Sequence, residues 1–110
     1  MIRKIKSKTI MPDYSIDTYA SEVYTIEVEY DNGKVDGISV FPKKYPYPDI
    51  IIDLYKQSNS SDFISLDFSK NTSIGLEKAI KYIDGITYAI NFAETELKPF
   101  IDFILSHDIQ

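Results

Sequence analysis

The chain has 110 residues, 44% of them hydrophobic, which suits one globular domain spanning 1–110 with a core of its own. It has no cysteine, which excludes disulfide scaffolds, thiolate zinc sites and cysteine nucleophiles, and fits a reducing, cytoplasmic setting. A net charge of −5 argues against nucleic acid as a direct ligand, because phosphate binding needs a basic footprint.

The start, Met1-Ile2-Arg3-Lys4-Ile5-Lys6, is basic with no apolar stretch behind it, so no secretory signal is expected. No apolar run approaches the ~20 residues of a membrane span, and no membrane partner is expected. Residues 2–10 carry Ile2, Ile5 and Ile10 between lysines and predict an edge strand whose charges discourage edge-to-edge pairing. Met11 to Ser21 reads as a polar connection carrying Tyr14, Ile16 and Tyr19.

Glu22 to Phe41 is the organising stretch: two alternating runs on either side of Asp31-Asn32-Gly33-Lys34, hence a β-hairpin. A two-residue Asn32-Gly33 loop with uninterrupted pairing sets Ile26 against Ser39 and mixes the faces. A three-residue loop, with Gly33 left-handed in a bulge, sets Ile26 against Ile38 and Tyr24 against Val40. The second register is therefore expected. It turns Tyr24, Ile26 and Val28 toward the core, and Val23, Thr25, Glu27 and Glu29 away from it.

Pro42 to Pro48 holds three prolines in seven residues and predicts a stiff loop. Pro48-Asp49 then suits the opening of a short helix over 49–56, although Ile50-Ile51-Ile52 suits a strand equally well. Gln57 to Ser61 reads as a loop, Phe63 to Phe68 as a strand, and Lys70 to Ser73 as a turn ending in helix-capping residues. Leu76, Ala79, Ile80 and Ile83 recur at helical spacing, so a helix is predicted over 74–84 with Gly85 as its left-handed cap. Ile86, Tyr88, Ile90 and Phe92 alternate and predict a strand over 86–92. A last helix follows, with Phe100, Ile101, Ile104 and Leu105 as its stripe and Pro99 in its first turn. The sum is an α+β domain: a mainly antiparallel sheet of four or five strands with two or three helices packed on one face.

Catalytic constellations are scarce. The single histidine, His107, sits close to the end, and there is no metal-binding spacing and no glycine cluster to cradle phosphate, so no cofactor or metal is expected. An enzyme reading requires a deep pocket holding buried carboxylates, for instance from Asp49, Asp53 and Asp67; Glu27 and Glu29, on an outward face, are poor proton donors at neutral pH.

Protein binding fits better. From Thr9 to Gly33 there are six acids and no base. Tyrosines, which give large contact area at low entropic cost, stand among them. Tyr14, Asp17, Tyr19, Glu22, Glu27, Glu29 and Asp31 form one candidate partner-binding set, and Tyr45 and Tyr47 of the proline loop a second. The alternative roles are a solvated acidic face for the first set and inward packing for the loop tyrosines.

The order of elements, Ile38-Ser39-Val40-Phe41-Pro42, then Asp49–Lys56, Phe63–Phe68 and Ile74–Ile83, resembles the small immunity proteins of bacterial polymorphic-toxin and contact-dependent growth-inhibition systems. The resemblance implies stoichiometric inhibition of a cognate toxin domain, often a basic nuclease, in the cytoplasm and without turnover. It carries over no functional residue. Two other readings stay open: a phage-type inhibitor whose acids mimic nucleic-acid phosphates on a nuclease, and a small carboxylate-dependent enzyme.

Overall fold

In a computed structural model, residues 1–53, 63–68 and 75–108 are described, the side chains of 53, 63, 107 and 108 excepted. Strands β3 (Tyr24–Asp31) and β4 (Lys34–Pro42) form the expected hairpin. The register differs from the expected one. Asn32 and Gly33 alone make the turn, with φ of 54° and 78°, the paired left-handed residues of a type I′ turn, whose twist matches that of the strands. Such a turn by itself would put Glu27 beside Ile38. A bulge cures this one step further on: Tyr30 pairs with Val35, but Glu29 pairs with Gly37, leaving Asp36 as the extra residue. Beyond it Val28 meets Ile38 and Ile26 meets Val40, so the inward set is the expected one while its partners are not.

Four further strands complete the sheet: β1 (Arg3–Met11), β2 (Tyr14–Ala20), β5 (Asp49–Asp53) and β6 (Phe63–Asp67). All neighbours are antiparallel, and the six strands lie in chain order. β1 is the edge strand expected from its lysines. Pairing skips Ile5 and Ile10, so two bulges add to the lysines in blunting this edge. Met11 to Ser21 is not a connection but contains β2. Its acids and tyrosines hide it from a hydrophobic pattern, because neither of its faces is wholly apolar. Asp49–Asp53 is likewise a strand and not the start of a helix; the β-branched Ile50 and Ile52 pair with Val40 and Ile38 on one side and with Leu66 and Ile64 on the other. Residues 54–56 of the expected helix, the loop 57–61 and the turn 70–73 lie outside the described residues.

In place of two or three helices there is, among the described residues, one long helical run. It comprises α1 (Leu76–Phe92), a π turn (Ala93–Leu97) and α2 (Lys98–Asp108), of 17, 5 and 11 residues. At about 1.5 Å per residue it reaches about 50 Å, the length of the molecule's longest axis, 49 Å. The expected strand over 86–92 is thus helix, and Gly85 lies inside α1 instead of capping it. The buried residues explain why: Tyr82, Gly85, Ala89 and Phe92 recur three and four apart. From Phe92 the next buried residue is Leu97, five on, and then Ile101 and Ile104. That spacing of five is what a π turn absorbs, and Lys98 donates to the Ala93 carbonyl across it. Pro99, which has no N–H to donate, follows at once, in the first turn of α2 as expected.

The helical run packs on one face of the sheet. Tyr24, Ile26, Val28, Ile38, Val40 and Ile50 from the strands meet Phe92, Leu97, Ile101 and Ile104 in one continuous core. Val23, expected to point outward, is buried in the turn before β3. There the Ser21 N–H donates to the Tyr24 carbonyl at 2.8 Å, and the Tyr24 N–H donates to the Ser21 hydroxyl at 3.0 Å. No described helix is long and apolar enough to cross a membrane.

Candidate interaction surface

The sheet face opposite the helices is uncovered by them, and strand parity says what it carries. Because directly paired residues share a face, one row runs Lys6, Thr18, Glu27, Ser39, Ile51 and Ser65, and a second runs Lys8, Ile16, Glu29 and Gly37. Glu27 and Glu29 are half-buried among their neighbours, and the Glu29 carboxylate lies over the bare backbone of Gly37. Tyr14 stands on the same face. Partial desolvation and the Glu29 carboxylate, to which its hydroxyl donates, push its pKa above the ordinary tyrosine value. Lys6 and Lys8 hold the far end of the rows, two strands or about 10 Å away.

Most of the rest of the first expected set is elsewhere. Asp17 and Tyr19 point to the helix side. Asp17 accepts from the Ser7 hydroxyl at 2.6 Å and is paired with Lys4 at 3.1 Å. Tyr19 packs edge-on against Phe100, ring centroids 4.8 Å apart; desolvation, and then the Asp17 charge, raise its pKa. Glu22 is exposed in the turn between β2 and β3, and Asp31 is exposed at the tip of β3. The structure therefore brings Tyr14, Glu27 and Glu29 together, with Asp31 paired to Tyr14 at the end of the same face, and does not join Asp17, Tyr19 and Glu22 to them.

The proline loop belongs to the packing of α1. The Lys43 N–H donates to the Val23 carbonyl at 2.7 Å and its ammonium to the Ser21 carbonyl at 2.8 Å, tying the loop to the turn before β3. A cis Tyr45–Pro46 peptide follows. Tyr47 turns inward, edge-on to Tyr88 at 5.1 Å and to Tyr24 at 6.3 Å. Tyr45 remains exposed but stacks parallel to Tyr82 at 6.4 Å. Tyr82 and Tyr88, which complete this aromatic cluster, were not singled out from sequence, although both recur at helical spacing with the buried Gly85, Ala89 and Phe92.

A cavity of about 350 Å³ lies between β6 and the helical run. Ile64, Leu66, Ile90, Ala93 and Ile101 form its apolar wall, with Glu94, Lys98 and Asp102 at its side. Of the carboxylates named for an enzyme reading, Asp49 and Asp67 do not line it and oppose one another across β5 and β6, and the Asp53 side chain lies outside the described residues. Among the described residues no group of three His, Cys, Asp or Glu is placed to hold a metal ion. His107 lies in the last turn of α2. In comparisons with protein-family models, curated proteins and solved structures the chain matches none.

Proposed function

We propose that the chain is a protein-binding inhibitor of the immunity type, which neutralises a cognate, basic toxin domain by covering it. The reading is carried by the outer face of the sheet, where Glu27, Glu29 and Tyr14 stand on rigid strands with no helix above them among the described residues. Carboxylates so placed attract a basic surface over distance and speed association. A tyrosine fixed beside them offers amphipathic contact area at little entropic cost. Alternation along β3 sets Glu29 on this face and Val28 in the core, and the bulge at Asp36 brings Ile38 and Val40 of β4 into line with that core side.

The test is co-expression with a toxin domain encoded beside the chain. A stoichiometric complex and rescue of growth are expected; neither appearing would end the proposal. In the complex, Glu27→Lys with Glu29→Lys is expected to slow association at least tenfold at low salt and to flatten its salt dependence, with the far-ultraviolet circular dichroism unchanged. Unchanged kinetics in that double variant would move the contact to another surface.

A further inference from the structure

The sheet ends in two strands of opposite kinds. β1 carries Arg3, Lys4, Lys6 and Lys8, and its pairing is broken by bulges at Ile5 and Ile10, the devices that keep an edge from recruiting another strand. β6 has neither. It reads Phe63-Ile64-Ser65-Leu66-Asp67, with no base and no proline, and pairs with β5 over its whole length in unbroken register. Its far edge meets no strand among the described residues. Between this strand and the helical run lies the cavity of about 350 Å³. Ile64 and Leu66 wall it from the sheet and stay half-buried, while Ile90, Ala93 and Ile101 wall it from the helical run. Edge and cavity specify one occupant between them. A backbone edge takes an extended strand. A strand laid beside β6 turns every second side chain into the layer of Ile64 and Leu66, and the apolar walls require those side chains to be apolar.

The chain itself carries such a strand. We propose that β6 of a second copy pairs with β6 of the first, antiparallel, across a two-fold axis that passes through Ser65 perpendicular to the sheet. Parity fixes the axis. At Ser65 it sets Ile64 of each copy opposite Leu66 of the other, on the helix side. An axis half a step away sets Ser65 against Leu66 and mixes the faces. Each copy's Ile64 and Leu66 then extend the apolar wall of the other's cavity. The joined sheet ends in a lysine-bearing, bulged β1 on either side, so growth stops at two copies. A seam about 17 Å long is small beside a standard stable interface, so the dimer is reversible and concentration-dependent.

Sedimentation equilibrium from micromolar to near-millimolar chain is the test, and a monomer–dimer equilibrium is expected. Ser65→Lys sets like charges side by side at the axis and should shift it roughly tenfold toward monomer, with the far-ultraviolet circular dichroism unchanged. Ile83→Lys, on the exposed side of α1, should leave it within about twofold of wild type. Because the chain has no cysteine, the register is read by oxidation. Directly opposed residues of antiparallel strands have Cα atoms about 4.5–5.5 Å apart, within disulfide reach, so Ser65→Cys alone should yield a covalent dimer. Ser39→Cys, on the same face but two strands further in, lies about 24 Å from its copy and should not. A wild-type chain monomeric throughout, a Ser65→Lys variant that dimerises as wild type does, loss of the dimer in Ile83→Lys, or a Ser65→Cys variant that does not cross-link would each overturn the proposal.

Discussion

Tyr24 shows how much of this molecule is decided by single side chains. Its ring is fully buried against Phe92 at 4.8 Å, with Tyr47 and Tyr88 beside it. Its hydroxyl has no hydrogen-bond partner among the described residues. Ring and hydroxyl therefore pull in opposite directions. Tyr24→Phe removes an unpaired polar atom and is expected to lie within about 1 kcal/mol of wild type, on the stabilising side. Tyr24→Ala empties the core and is expected to lose about 3–5 kcal/mol in urea denaturation. Equal losses in both variants would mean that the hydroxyl holds a favourable contact after all. Burial first, and then the neighbouring Tyr88 and Tyr47, push the Tyr24 hydroxyl well above its ordinary pKa. A raised folded-state pKa means that the native state keeps its proton when the unfolded chain, near pH 10, begins to release it. The stabilising contribution is therefore complete below about pH 10 and is lost as the pH climbs through the native value. Unfolding free energies at pH 9 and pH 11 are expected to fall less in Tyr24→Phe than in wild type. Tyr14, Tyr19 and Tyr88, raised in the same direction, leave the variant some residual slope. An identical slope in the two proteins would remove Tyr24 as its source.

Among the elements, α1 carries the largest difference between what its sequence suggests and what it does. Gly85 reads as a helix terminator, and Ile86 to Phe92 alternate as a strand would. The helix nevertheless passes through Gly85, because a side chain there would meet the backbone of the proline loop. A Cβ at Gly85 would lie 2.7 Å from the Pro46 carbonyl oxygen and 3.3 Å from the Tyr47 Cα. Glycine costs a helix about 1 kcal/mol relative to alanine, and that cost permits the loop to cross α1 in direct contact. Gly85→Ala is therefore expected to destabilise by roughly 1–3 kcal/mol in spite of its better propensity. It should also shift the Tyr45, Tyr47 and Tyr88 ring resonances. A gain in stability would show that the loop yields easily. The same comparison explains what the residues disclose. The inward faces of β3 and β4, the basic edge strand and the start of α1 were legible, since each rests on a periodicity within one segment. The six-strand count was not, because β2 lacks an apolar stripe to advertise it. The hairpin register was not, because a turn and a bulge share the slip between them. The π turn left one readable trace, the interval of five from Phe92 to Leu97.

For the molecule as a whole, two layers leave two sides uncovered, one on the sheet and one on the long helix. Sequence could find the acids of the first, but only strand parity separated Glu27 and Glu29 from Asp17, which β1 neutralises through Lys4 on the other face. The second was hidden because Leu76, Ile80 and Ile83 read as the core side of a short helix, whereas the core takes Tyr82, Gly85 and Ala89 instead. The two uncovered sides face away from each other, with the core between them. Sites farther apart than about 10 Å with no shared partner act additively, and at 0.1 M salt a charge is screened over a similar distance. Ile83→Lys is therefore expected to leave the association rate with the basic partner within about twofold of wild type, unlike Glu27→Lys with Glu29→Lys. The triple variant should show the association defect of the charge reversal alone. Stopped-flow association of all three variants at several salt concentrations makes the comparison. A triple variant whose association defect departs from that of the charge reversal by tenfold would mean that the outer side of the long helix meets the partner as well.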